Sequence, residues 1–255
     1  MLLQDQVALI TGAGGGFGTA FAKALSKEGA TVVLTDISED ALAGVVEKMK
    51  EAGAKYAAFV LDVSNKEQVV QTMAKTVEEF GKIDILLNNA GGSLFTPKKL
   101  EEIEEKHWDL VLNVNLKGTF LCCQAAIPYM IQRKRGKIIN LSSIGGRTAS
   151  LVTGVAYAAA KGGIISFTRR LAKEVGCHGI NVNAIAPGTV MSGQRMINLW
   201  NELSQPQKDD ILGSIALGRV STVEEQASVV VFLASEMSNY LTGTVVDVNG
   251  GRLMA

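Results

Sequence analysis

Thr11-Gly12-Ala13-Gly14-Gly15-Gly16-Phe17-Gly18 follows directly on the apolar run Val7 to Ile10 and leads into a helical pattern from about Phe17 to Glu28. A β-branched run, Thr31 to Thr35, comes next, so the chain opens as strand, helix, strand. Glycines at such a turn let the backbone bend tightly and approach a pyrophosphate, while the free N–H groups and positive dipole of the helix start attract the anion. The spacing departs from G-x-G-x-x-G because position 17 is Phe, and no Gly-Lys-Ser/Thr ending marks a P-loop. Asp36, at the end of the second run, strengthens the reading. Its carboxylate can accept hydrogen bonds from both hydroxyls of an adenosine ribose and would repel a 2′-phosphate, which favours NAD over NADP. Neither Gly15 nor Ile37 offers the positive charge that a phosphorylated ribose needs.

Outward from this unit the alternation continues. Helical patterns at Glu39 to Ala52 and Lys66 to Phe80 flank apolar runs at Ala57 to Leu61 and Ile83 to Leu87. A helix near His107 to Arg133, a strand Lys137 to Leu141, a helix Tyr157 to Val175 and a strand Ile180 to Ile185 follow. The expected fold is α/β: a single-domain, Rossmann-type, doubly wound parallel sheet with helices on both faces, spanning residues 1–255. After Gly188 the rhythm breaks. Met191 to Gly213, with Met196, Leu199, Trp200 and Pro206, is the candidate substrate lid, ahead of a helix Val223 to Ala234 and a strand Val245 to Val248.

The 25 basic and 25 acidic residues balance, and 47% of the 255 residues are hydrophobic, which fits a sizeable core and gives no sign of nucleic-acid binding. Short basic runs at Arg133-Lys134-Arg135 and Arg169-Arg170 read as solvated helix ends. With no signal-peptide pattern and no apolar stretch of about 18 residues, the expected location is cytoplasmic, away from membranes. Cys122, Cys123 and Cys177 lack paired spacing, and His107 and His178 form no cluster, so neither disulfides nor a metal site are expected.

The run Ala-Tyr-Ala-Ala-Ala-Lys sets Tyr157 and Lys161 four residues apart, on one helix face. A free phenol titrates near pH ~10, and an adjacent cation favours the phenolate, giving a candidate acid/base. The same spacing is also common on exposed helices, so the pair needs support from the rest of the chain.

Together these pieces resemble the short-chain dehydrogenase/reductase family over essentially the full length. The glycine turn Gly12, Gly15, Gly16, Phe17 and Gly18 looks like that family's cofactor loop, with Phe17 where Ile is usual. Asp62-Val63 resembles its adenine-contacting pair, Asn88-Asn89-Ala90-Gly91 its sheet-stabilising turn, and Pro187-Gly188-Thr189-Val190, with Ser192 for the common Thr, its nicotinamide-holding segment. Asn115, Ser143, Tyr157 and Lys161 resemble its catalytic tetrad. The resemblance implies that Tyr157 exchanges a proton with a secondary alcohol or ketone while a hydride passes to or from the nicotinamide. Lys161 lowers the phenol's pKa and binds the nicotinamide ribose, Ser143 donates to the substrate oxygen, and Asn115 holds a water linking Lys161 to solvent. One departure bears on geometry: Ser143 to Tyr157 is one residue longer than the family's commonest spacing, so either the loop bulges or Ser142 takes the role. The Ser-x-x-Gly pattern ending at Gly146 favours Ser143.

Candidate substrate-facing positions are Ser93, Leu94, Phe95, Arg147 to Val152, Met191, Arg195, Met196 and Trp200. Arg147 or Arg195 could pair with an anionic group, or be a surface arginine. The main expectation is an NAD(H)-dependent alcohol dehydrogenase or ketone reductase acting on a small molecule. One alternative is a 3-oxoacyl-[acyl-carrier-protein] reductase, which in this family usually uses NADPH and docks an acidic carrier at positions held here by Lys134 and His178. Another is a non-catalytic NAD-sensing or partner-binding protein. The resemblance also implies a homotetramer, one interface formed by helices starting near Asn113 and Tyr157, where Ala158, Ala159, Gly162 and Gly163 allow close packing.

Overall fold

The computed structural model describes residues 1–149 and 153–254, with only the backbone of Arg195. Seven strands, β1 (Val7–Thr11), β2 (Thr31–Asp36), β3 (Tyr56–Val60), β4 (Ile85–Asn88), β5 (Gly136–Leu141), β6 (Ile180–Pro187) and β7 (Val245–Val248), form one sheet. All their pairings are parallel, in the order β3-β2-β1-β4-β5-β6-β7. The order reverses direction between β1 and β4, and a crevice at such a switch point is where open α/β sheets bind ligands.

Strand residues alternate between two cores, as the two-residue period of a β-strand requires. Ala8, Ile10, Val32, Leu34, Ile85 and Leu87 join one cluster with α1 (Gly16–Lys27), α2 (Glu39–Glu51) and α9 (Val223–Ala234). Leu9, Val33, Leu86 and Ile138 join the other with α3 (Lys66–Phe80), α5 (Gly118–Arg133) and α6 (Val155–Val175). This is the expected doubly wound sheet. Helix starts obey local chemistry: Ala41 N–H donates to the Ser38 hydroxyl at 3.2 Å and Gln68 N–H to Asn65 Oδ1 at 3.0 Å, while Gly81 ends α3 at φ 75°.

Two sequence expectations need correcting and one is narrowed. The helix expected from His107 to Arg133 is two, α4 (Glu105–Leu112) and α5, joined by a π turn over Asn113–Lys117. The stretch 191–213, expected to be irregular or helical, holds two short helices, α7 (Gln194–Glu202) and α8 (Gln205–Gly213). The reading that no stretch could span a bilayer also needs correcting, since Glu105–Arg133 is long and apolar enough by composition. In the fold, however, it buries Leu121, Cys122, Ala126 and Met130 against the sheet.

At the opposite edge of the sheet from the strands' C-terminal ends, Lys137 is buried, its ammonium donating to Asn239 Oδ1 at 2.9 Å and Ser238 Oγ at 3.2 Å. Burial lowers its pKa to about 8 from 10.5. Between those values the unfolded chain holds a proton that the folded chain has released, so this group's contribution to stability rises with pH from about 8 to about 10.5. Lys137→Met is expected to flatten that rise, measured by urea unfolding across the window; an unchanged slope would contradict the assignment.

Candidate active site

The C-terminal ends of β1, β2, β4, β5 and β6 lie along one edge of the sheet, and the expected site residues gather there because they follow those strands. Gly12 takes φ +65°, and a Cβ on it would sit 2.8 Å from Ala90 Cα, so close approach of the two turns requires glycine. Asn89 fastens them: its side-chain amide donates to Thr11 O (2.9 Å) and Gly12 O (2.8 Å). The Thr11 hydroxyl accepts the N–H groups of Asn89 and Ala90, each at 3.0 Å. Thr11 opens the glycine stretch read from sequence, and the fold shows its hydroxyl tying that stretch to the turn after β4.

Gly18 is held against the Gly12 carbonyl, leaving no space for a side chain. The N-cap of α1 is Gly15, with no capping side chain and no acidic residue in the first turn, so the helix start keeps N–H groups and dipole for an anion. Phe17 turns to the core and stacks near Phe21, with centroids 5.6 Å apart. Asp36 ends β2 with its carboxylate set: Oδ2 accepts from Gly14 N–H and Oδ1 from Ser38 N–H, both at 3.0 Å. Ile37 beside it is exposed. This cradle fits a dinucleotide, with glycine clearance for the pyrophosphate and an oriented carboxylate for the ribose.

Asp62 accepts from the N–H and hydroxyl of Ser64, while Val63 is buried against Gly118. On the other side, β6 ends at Pro187 and Gly188 N–H donates to Val248 O at 3.2 Å. Val190 is buried and bridges to Ser221, and the Ser192 carbonyl lies against Gly16, bringing the start of the lid to the glycine turn.

Lys161 is buried on α6, its Nζ 5.5 Å from the centroid of the Tyr157 ring and 2.7 Å from the Leu141 carbonyl that accepts from it. Burial brings its pKa down to about 7. A phenolate opposite it would favour the ammonium, and the ammonium the phenolate. The two serines differ in their partners. Ser142 is buried and its hydroxyl donates to the Lys161 carbonyl at 2.9 Å, whereas Ser143 is half-buried and its Oγ accepts from Gly145 N–H at 3.1 Å. With a lone pair of Ser143 engaged, its own hydrogen is available to a ligand oxygen.

Asn115 sits in the π turn, fully buried, and the turn has a specific cause. Its Nδ2 donates to Val111 O (2.9 Å) and Gly92 O (3.0 Å), and its Oδ1 accepts Gly92 N–H (3.0 Å). A side chain thus takes over a helix carbonyl and clamps the loop after β4. With both side-chain amide hydrogens engaged on backbone, the Asn115 side chain anchors Gly92 to the helix.

The substrate-facing candidates divide. Leu94 and Phe95 have φ of 51° and 58°, and Thr96 closes their turn by donating from N–H and hydroxyl to Ser93 O; Phe95 is 85% exposed. Met191 N–H donates to Ser221 O, and Met196 and Trp200 are half-buried on α7. Arg147 requires correction as an anion site, because its guanidinium is engaged by Asp247 on β7 at 2.9 Å. Val152 and the Arg195 side chain lie outside the described residues.

A family model described as Enoyl-(Acyl carrier protein) reductase matches residues 12–252. The 3-oxoacyl-[acyl-carrier-protein] reductase FabG of Thermotoga maritima is 39% identical over 98% of this chain and 99% of its own. The (2S)-[(R)-hydroxy(phenyl)methyl]succinyl-CoA dehydrogenase subunit BbsD of Thauera aromatica is 36% identical over 99% of this chain and 98% of its own. Among solved structures, levodione reductase superposes with a TM-score of 0.91 at 34% identity, covering 98% of both chains.

Proposed function

Because the chain belongs to the short-chain dehydrogenase/reductase family, we propose that it interconverts a secondary alcohol, or a sugar or polyol hydroxyl, and the matching ketone with NAD(H). The observation that carries this reading is Lys161 buried opposite the Tyr157 ring, with the Ser143 hydroxyl hydrogen left available. A bound nicotinamide supplies or accepts the hydride. The residues that would hold the dinucleotide are Gly12, Gly15 to Gly18, Asp36, Ile37, Asp62, Val63, Asn89 to Gly91, and Pro187, Gly188, Val190 and Ser192, with Lys161 on the nicotinamide ribose. Tyr157 as phenolate takes the hydroxyl proton in oxidation, and as phenol returns it in reduction. The Lys161 ammonium stabilises the phenolate, and Ser143 donates to the substrate oxygen as charge develops there. NAD is favoured over NADP by Asp36, already oriented by Gly14 and Ser38.

A more specific substrate has its own support. Relatives at 36–39% identity are named for 3-oxoacyl and hydroxyacyl thioester chemistry, which favours a 3-oxoacyl thioester over a generic ketone. Lys134 and His178 lie on one surface, where the Lys134 carbonyl abuts Gly179, and could meet an acidic carrier. Fluorescence titration with NADH and NADPH tests the cofactor, with tighter NADH expected. NADH formation on a panel of secondary alcohols and polyols, beside oxidation of NADH or NADPH by acetoacetyl-CoA, tests the substrate. Tight NADPH binding with turnover of acetoacetyl-CoA alone transfers the conclusion to the 3-oxoacyl reductase. Cofactor binding without turnover of any of these leaves the sensor reading.

The proposed setting is cytoplasmic and the proposed assembly a homotetramer. Its support is an apolar face on α4, α5 and α6 where Leu112, Leu116, Phe120, Gly163 and Phe167 line a groove and Phe120 is 41% exposed. Part of the small-residue stripe works within the subunit, since Gly163 makes room for Leu116. Sedimentation as a stable monomer would refute the assembly.

A further inference from the structure

We propose that Arg147 and Asp247 form a positioning pair that sets the Ser143 hydroxyl against the reacting centre, an inference that rests on the function proposed above. Ser143 opens a 3-10 turn, Ile144–Gly146, which Arg147 closes. Gly146 N–H donates to Ser143 O at 3.0 Å and Arg147 N–H to Ile144 O at 2.9 Å, so Ser143 and Arg147 belong to one rigid turn. That turn is pressed onto α6 at the lysine itself: a Cβ on Gly146 would lie 2.5 Å from the Lys161 carbonyl carbon.

The far end of the turn is tied to another part of the site. Arg147 Nη2 lies 2.9 Å from Asp247 Oδ2, with the two side chains 15% and 19% exposed, so the pair is little weakened by solvent. Asp247 pairs in register with Ala186, one residue before Pro187, and the next residue of β7, Val248, accepts the Gly188 N–H. The ion pair therefore joins the turn carrying the substrate-oxygen donor to the strand ends carrying the nicotinamide segment. Asp247 Oδ1 is buried without a hydrogen-bond partner among the described residues, which leaves Arg147 as the cation that compensates this carboxylate. The placement also answers the lengthened connection to Tyr157. An extra residue weakens what the covalent path dictates about Ser143, and a side-chain anchor at position 147 restores it.

A positioning residue acts through the group it positions, so its effect should disappear when that group is absent. Arg147→Gln and Asp247→Asn are made in the wild-type and Ser143→Ala backgrounds, and turnover of acetoacetyl-CoA and of the best alcohol from the panel is followed. Each is expected to lower kcat about tenfold to hundredfold in the wild type, as small misplacements of reacting groups do. In the Ser143→Ala background the further loss is expected to stay within about twofold. NADH affinity should be unchanged, and Arg147→Lys should recover part of the rate. Equal losses in both backgrounds would overturn the pair as a positioning device. Hydrogen exchange of the peptide covering residues 141–149 needs no substrate. Faster exchange there in Asp247→Asn, the milder variant, with the β1–α1 peptide unchanged, supports the tether; unaltered protection refutes it. If wild-type protein turns over neither probe, the functional reading fails while the exchange measurement still decides whether the tether exists.

Discussion

Tyr157→Phe is expected to lower turnover by about a hundredfold to ten-thousandfold, or about 3–5 kcal/mol of transition-state stabilisation, while NADH binding changes little. The substitution removes one oxygen and keeps the ring that faces Lys161, whose Nζ lies 5.5 Å from the ring centroid. Lys161 also keeps its 2.7 Å hydrogen bond to Leu141 O, so the lysine has no reason to move. Loss is therefore confined to proton transfer. In the wild type, oxidation requires the Tyr157 phenolate and should slow as pH falls, whereas reduction requires the phenol and should slow as pH rises. The variant should lose both limbs in its residual activity. The measurement is steady-state kinetics against pH beside a fluorescence titration of NADH. Retention of more than about a tenth of the wild-type rate would remove Tyr157 from the mechanism.

The second large effect concerns the cofactor. Asp36→Asn combined with Gly15→Arg is expected to shift preference from NAD towards NADP by about a hundredfold. In the proposed binding mode the Asp36 carboxylate would face a 2′-phosphate, and two like charges about 4 Å apart repel by about 1 kcal/mol in water and about 4 kcal/mol near a protein surface. Asparagine removes the charge and keeps an acceptor for the Gly14 N–H now bound at 3.0 Å. Gly15 can carry a side chain: its φ is −73°, and a Cβ there would meet nothing closer than Gly12 O at 3.8 Å. Gly12, Gly16 and Gly18 could not, because the Ala90 backbone, the Ser192 carbonyl and the Gly12 carbonyl respectively occupy the space. Arginine at position 15 then supplies a fork suited to phosphate. The ratio of dissociation constants for NADH and NADPH reads the result. An unchanged ratio would mean that Asp36 does not face the ribose, and wild-type preference for NADPH would favour the 3-oxoacyl reductase on cofactor grounds.

Much of this site was legible because its residues follow strands whose period and composition are local properties. Gly12 to Gly18 come after β1, Asp36 ends β2, Asn88 ends β4 with Asn89 to Gly91 after it and Ser143 follows β5, so recognising the strands places all of them on one edge. The parts that were not legible depend on partners distant in sequence. Asn115 interrupts what reads as a continuous helix because its amide clamps Gly92, 23 residues away. Ser142 and Ser143 are neighbours of identical chemistry, and only the arrival of α6 commits the first to the Lys161 carbonyl. Arg147 read more readily as a surface arginine than as a partner for an anionic substrate, and only the fold brought Asp247 on β7 to it across 100 residues.

The sequence by itself determined the parallel doubly wound sheet, the glycine turn with Asp36 after it, and the Tyr157–Lys161 spacing. Each is encoded by a repeat of two or of 3.6 residues, or by a turn whose close approaches at Gly12, Gly16 and Gly18 require glycine. Only the tertiary structure decided that Ser142 is committed to the Lys161 carbonyl, that Asn115 holds a loop, and that Arg147 is held by an acid. Hydrogen bonds and charge pairs have no period, and their partners become neighbours only once the sheet has assembled.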